Sequence, residues 1–128
     1  MKRLVLGLLC CVCLQSLALA QGFAPGQVWT NTHGSALRID ALTNGGFRGT
    51  LTNTSGYFFP CTTPSPATAR YSTSFTMTVT FAKCRGTAVW RGSTDRSLAI
   101  TAQWTFNYVD QSGKPHTSYG FDFFSRTR

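Results

Sequence analysis

Apolar side chains recur at every second residue in run after run of this chain, a period that suits strands and not helices. Over Leu98–Tyr108, one face carries Leu98, Ile100, Ala102, Trp104, Phe106 and Tyr108, and the other carries Ala99, Thr101, Gln103, Thr105 and Asn107. Phe75, Met77, Val79 and Phe81 oppose Thr76, Thr78 and Thr80 in the same way. Leu37 and Ile39 oppose Arg38 and Asp40, and Phe47, Gly49, Leu51 and Asn53 oppose Arg48, Thr50 and Thr52. No segment sustains a helical period. One dry face and one Thr/Arg face on successive strands is the pattern of a sheet wrapped around a single interior.

About eight such runs are separated by Gly, Ser, Asn and Pro, which predicts an all-β domain. They fall near Val28–Thr32, Ala36–Leu42, Phe47–Asn53, Ala67–Ser72, Phe75–Phe81, Thr87–Arg91, Leu98–Tyr108 and Thr117–Ser125. Short connections such as Asn44-Gly45-Gly46, Ser93-Thr94-Asp95-Arg96 and Asp110-Gln111-Ser112-Gly113 join consecutive runs as antiparallel neighbours. That favours an eight-stranded antiparallel up-and-down β-barrel over a Greek-key sandwich, and closure leaves no exposed sheet edge. A barrel of this size has an interior just large enough for one small ligand.

The first 20 of the 128 residues are expected to be a signal peptide: Lys2 and Arg3, an apolar run from Leu4 to Leu14, then Ala18-Leu19-Ala20. Residues 21–128 are then one domain, secreted or periplasmic, with no membrane attachment once the leader is cleaved. Cys10, Cys11 and Cys13 leave with the leader, and the remaining Cys61 and Cys84 suit one disulfide in an oxidising compartment. Two cysteines and two distant histidines give no metal-ligand spacing, so no metal site is expected. Of the 12 basic residues, Lys2 and Arg3 are in the leader, leaving ten against four aspartates, a net charge of +6. These cations are scattered singly and do not track a phosphate backbone, which argues against a nucleic-acid partner.

Trp29-Thr30-Asn31-Thr32-His33-Gly34-Ser35, then Gly46-Phe47-Arg48-Gly49-Thr50, Ala102-Gln103-Trp104 and Gly120-Phe121-Asp122-Phe123-Phe124-Ser125-Arg126, together resemble the avidin/streptavidin family. The resemblance runs from Gly26 to Arg128 with the motifs in the family's order. It implies an avidin-like barrel that binds biotin at its open end, without catalysis and without a cofactor. Cys61 and Cys84 match the dimeric, rhizavidin-like bacterial members, in which a disulfide ties the loop after the third strand to the loop after the fifth. By the same resemblance, Asn31 and Ser35 donate to the ureido oxygen of biotin and Asp122 accepts from a ureido nitrogen. Asn53 serves as a second nitrogen-facing acceptor, and Phe81, Trp90, Trp104 and Phe106 are apolar walls.

The chain also departs from the family's pattern. Leu51 stands where a tyrosine gives the third donor to the ureido oxygen, and Phe81 replaces a wall tryptophan. Gly86 and Ala88 replace hydroxyl residues, and Lys114 lies near the position from which tetrameric members lend a tryptophan to a neighbour. These changes imply a lower affinity than the strongest members have, and they motivate an alternative, the same barrel holding a different, less polar small ligand. Asn31, Ser35 and Asp122 could instead bond one another and leave no vacancy. Trp29 and Arg126 look like a plug at the barrel bottom, a guanidinium packed on an indole. An enzyme finds little support: there is no glutamate, and His33 near Ser35 has no evident orienting acid. Tyr119, Phe121 and Phe123 lie opposite Asp122 in parity, so an inward Asp122 turns these rings outward as a homodimer surface.

Overall fold

In the computed structural model, which describes residues 22–128, eight strands follow one another in chain order. They are β1 (Val28–Thr30), β2 (Ser35–Thr43), β3 (Gly46–Asn53), β4 (Ser65–Tyr71), β5 (Phe75–Phe81), β6 (Gly86–Thr94), β7 (Ile100–Val109) and β8 (Pro115–Arg126). Each pairs antiparallel with the next, and β8 returns to β1 through Trp29↔Arg126 and Thr30↔Ser125, closing the barrel. The leader expected over residues 1–20 lies outside the described residues. All eight expected runs are strands. The seventh begins two residues later than its periodicity suggested, because Leu98 has a φ of 62° and belongs to the turn after β6.

Alternation decides what fills the interior. Leu37 and Ile39, Phe47 and Leu51, Phe75, Met77, Val79 and Phe81, and Ile100, Ala102, Trp104 and Phe106 are all buried. Burying each of the larger of these side chains contributes about 1.5–3 kcal/mol. The strict period breaks once, at a bulge between Ile39 and Ala41, beyond which Leu42 is exposed.

The end of the barrel that carries the β2–β3, β4–β5 and β6–β7 turns is sealed by aromatic packing. Phe23, in the lead-in before β1, is buried, with its ring 4.8 Å from Trp29, 5.0 Å from Phe47 and 4.7 Å from Tyr71. The Trp29 indole donates to the Leu98 carbonyl at 2.9 Å. Phe23 thus packs on Trp29 where Arg126 was expected. Arg126 is exposed, and its Nε donates to the Arg128 carbonyl.

Candidate functional site

The opposite end is formed by the β1–β2, β3–β4, β5–β6 and β7–β8 connections. Asn31, His33, Ser35, Asn53, Trp90 and Asp122 are held there in one continuous network. Asn31 follows β1, and its Oδ1 accepts the backbone N–H of His33 at 3.0 Å and of Ser35 at 2.9 Å, fixing the turn before β2. With its oxygen so engaged, Asn31 Nδ2 is left buried and without a partner. Ser35 opens β2 and is buried; its Oγ accepts from Asn53 Nδ2 at 2.9 Å, which leaves the hydroxyl proton to donate elsewhere.

Asp122 is 2% exposed, on the inward face of β8. Its Oδ2 accepts from the Trp90 indole at 2.7 Å and its Oδ1 from His33 Nδ1 at 2.6 Å. Two bonds leave a carboxylate further lone pairs toward the interior. The other three aspartates have surface or turn roles. Asp40 pairs with Arg38, and Asp95 and Asp110 cap the turns after β6 and β7 through Ser97, Ala99, Ser112 and Lys114. The Ser112 hydroxyl, His116 and the Lys114 amide hold the Asp110 carboxyl well below the usual carboxylate range.

Aromatic side chains line the rest. Trp104 lies so close over β8 that a Cβ at Gly120 would overlap its indole, and glycine there is what admits the ring. Trp104 Nε1 is buried with no partner. Phe81 and Phe106 meet edge-on with ring centroids 5.3 Å apart, and buried Trp90 completes the wall. Into this box the β3–β4 loop inserts Phe58, which is 2% exposed and lies 5.1 Å from Phe81, 5.4 Å from Phe106 and 6.0 Å from Trp90. Tyr57, next to it, stacks on His33 at 4.7 Å with the rings 9° apart and meets Trp104 edge-on. Burial and the charge of Asp122 push the Tyr57 phenol up, so it stays neutral. The Cys61–Cys84 disulfide joins this loop to the β5–β6 turn, with Cα atoms 5.3 Å apart. The sulfurs pack on Gly86, where a Cβ would come within 2.7 Å of each.

A closed eight-stranded barrel with one sealed end, an aromatic-walled mouth and unspent donors beside a buried carboxylate has the build of a small-molecule binding protein. The model of the Avidin family matches residues 20–127, and the chain belongs to that family. Membership makes it a binding protein and not an enzyme, with no cofactor requirement. Among solved structures it is similar to bradavidin2 in complex with biotin, at 34% identity over 83% of this chain and 100% of that one, with a TM-score of 0.71. Core-bradavidin is similar at 26% identity over 79% and 98% of the two chains, with a TM-score of 0.64. Rhizavidin shares the fold at 24% identity over 80% and 81%, with a TM-score of 0.65. No curated protein matches the chain.

The eight residues singled out from sequence are brought together at this end, in three different states. Asn31 Oδ1 accepts the Ser35 backbone N–H, but no side chain–side chain bond joins Asn31, Ser35 and Asp122 among the described residues, so they do not satisfy one another. Asn53 has its Oδ1 turned to the loop, where it accepts from Ser55 and the Tyr57 amide. Phe81, Trp90 and Phe106 surround Phe58, and Trp104 meets Tyr57. His33 does have an acid partner, Asp122, 89 residues away in sequence. Phe58 and Tyr57 were missed because their loop follows no strand period. The one available signal was an aromatic cluster, Tyr57-Phe58-Phe59, four residues before Cys61 at its first member.

Proposed function

We propose that this chain is an exported biotin-binding protein. The observation that carries the reading is a pair of unspent donors, the buried Asn31 Nδ2 and the Ser35 hydroxyl, in one network with the Asp122 carboxylate. A ureido group needs that set: donors for its oxygen and an acceptor for its N–H. A buried amide N–H without a partner costs about 1–3 kcal/mol, which a ligand oxygen would recover. Trp90, Trp104, Phe81 and Phe106 supply the apolar walls for the sulfur ring, and Asn53 orders the loop above it.

The affinity lies below that of the strongest family members, because buried Leu51 offers no third donor. Each such bond is worth roughly 1.5–3 kcal/mol, a factor of about ten to a hundred in Kd. The protein acts as a homodimer through the outer face of β8, where Tyr119, Phe121 and Phe123 are exposed. Sedimentation as a dimer at micromolar concentration, lost in Phe121→Lys, is the expected result. The disulfide suits an oxidising compartment, in line with export under the leader at residues 1–20.

Phe58 among Phe81, Trp90 and Phe106 favours a second reading, in which the natural ligand is less polar and uses the aromatic box alone. Biotin and lipoic acid separate the two, since both carry a sulfur ring and an acid tail and only biotin has the ureido group. A change in tryptophan fluorescence with biotin and none with lipoic acid supports the first reading. Equal responses support the second.

A further inference from the structure

We propose that His33 is a positioning residue that couples the acceptor Asp122 to the β3–β4 loop, so that proton uptake by His33 opposes ligand binding. This rests on the biotin reading above. Three contacts carry it. The His33 Nδ1–H donates to Asp122 Oδ1 at 2.6 Å, its ring is stacked under Tyr57 at 4.7 Å, and its backbone carbonyl accepts from Asn53 Nδ2 and the Ser55 hydroxyl. One residue therefore touches the carboxylate, the loop over the mouth and the base of that loop. Its side chain is 36% exposed, whereas that of the aspartate it holds is 1% exposed.

The groups facing His33 set the sign. From β8 comes the Asp122 carboxylate, from the end of β3 the uncharged Asn53, and from the β3–β4 loop the neutral Tyr57 ring and the uncharged Ser55; no cation is hydrogen-bonded to it among the described residues. A neutral imidazole donates one bond to Asp122 and leaves the carboxylate its full charge to attract a ureido N–H. A protonated imidazole forms an ion pair with that oxygen and competes with the ligand for it. The same positive charge strengthens the contact with the Tyr57 face and holds the loop down. The competition for the carboxylate weakens binding as the pH falls. By linkage, a ligand that is bound less well by the protonated form must expel a proton when it binds.

The second histidine of the mouth provides an internal control. His116 also pairs with an aspartate, Asp110 at 2.8 Å, and stacks on a tyrosine, Tyr108 at 4.8 Å, but both partners lie within its own hairpin. A pH dependence that arises from His116 survives any change at position 33.

The test is calorimetric titration of the disulfide-intact protein with biotin between about pH 5 and 8, the range in which histidine side chains change charge. It uses buffers of different ionisation enthalpy and compares wild type with His33→Gln, whose amide can still donate to Asp122. Wild type should bind biotin about fivefold or more weakly at the acid end and release protons on binding. His33→Gln, whatever its absolute affinity, should give a flat profile and no proton release. An equal slope in both proteins, or a flat wild-type profile, overturns the proposal. Should biotin fail to bind either protein at any pH, the biotin reading falls, and hydrogen exchange of residues 54–64 without ligand decides the coupling. Acid-enhanced protection, relative to intrinsic rates, in wild type and not in His33→Gln supports it; protection that is alike in the two proteins overturns it.

Discussion

The two ends of the barrel are made from the same kinds of residue and treat them differently. At the sealed end Phe23, Trp29, Phe47 and Tyr71 pack ring against ring, and the buried indole N–H of Trp29 reaches the Leu98 carbonyl. At the open end Trp104 Nε1 and Asn31 Nδ2 are equally buried and have no partner, and the aromatic box holds Phe58 from a loop. A fully satisfied cluster maximises stability. A cluster that retains unpaired donors forgoes about 1–3 kcal/mol for each, and a site that must receive a polar ligand has to accept that cost. The difference locates stability at one end and recognition at the other.

The largest effect that can break this comparison is Trp29→Ala. It should cost about 3–5 kcal/mol in urea unfolding and leave the biotin Kd of the folded protein unchanged. A large loss of affinity in protein that remains folded would show that the ends are not separable. Asp122→Ala, at the other end, removes the acceptor and strands the Trp90 N–H. Calorimetry should show affinity falling by about 2–3 kcal/mol, roughly a hundredfold in Kd. Retention of wild-type affinity would remove Asp122 from the site.

Phe58→Ala sharpens the comparison by asking whether the box is a core or a receptacle. If the ring must leave for the ligand to enter, binding carries part of the cost of exposing a phenylalanine, about 1.5–3 kcal/mol, and the variant should bind about tenfold tighter. Weaker binding would instead make Phe58 a wall of the pocket. Smallest is Asp110→Asn, on the rim. The Asp110 carboxyl is held below its ordinary value, so its contribution to stability is present above the unfolded pKa of about 3.9 and is lost as the pH falls toward the folded value. The variant should be slightly less stable than wild type at neutral pH, with the deficit fading below about pH 4 in acid-unfolding curves. A deficit that does not change with pH would contradict that assignment.

The barrel itself was legible because side-chain alternation is a local signal that strand pairing does not override. Asp122 and Ser35, which the family resemblance points to, are buried in the barrel, and the disulfide follows from cysteine usage together with that resemblance. What parity cannot reach is a residue outside any strand. Phe23 and Phe58 are buried at opposite ends of the barrel from a lead-in and a loop, where no period marks which side chain turns inward. The Asn53 carboxamide lies at the open end, but the direction of its oxygen depends on Ser55 and Tyr57 in a loop whose shape sequence does not dictate. The sequence shows no acid near His33 because its partner lies on the last strand and meets it only when the barrel closes.

The central claim is that the Asn31 amide and the Ser35 hydroxyl are kept free for a ureido oxygen while Asp122 receives its N–H. Calorimetric titration of the disulfide-intact protein with biotin tests it most directly. One site per chain with a favourable enthalpy, weakened in both Asn31→Ala and Asp122→Ala, is the expected result. No heat of binding with millimolar biotin, or binding that neither substitution changes, would contradict it.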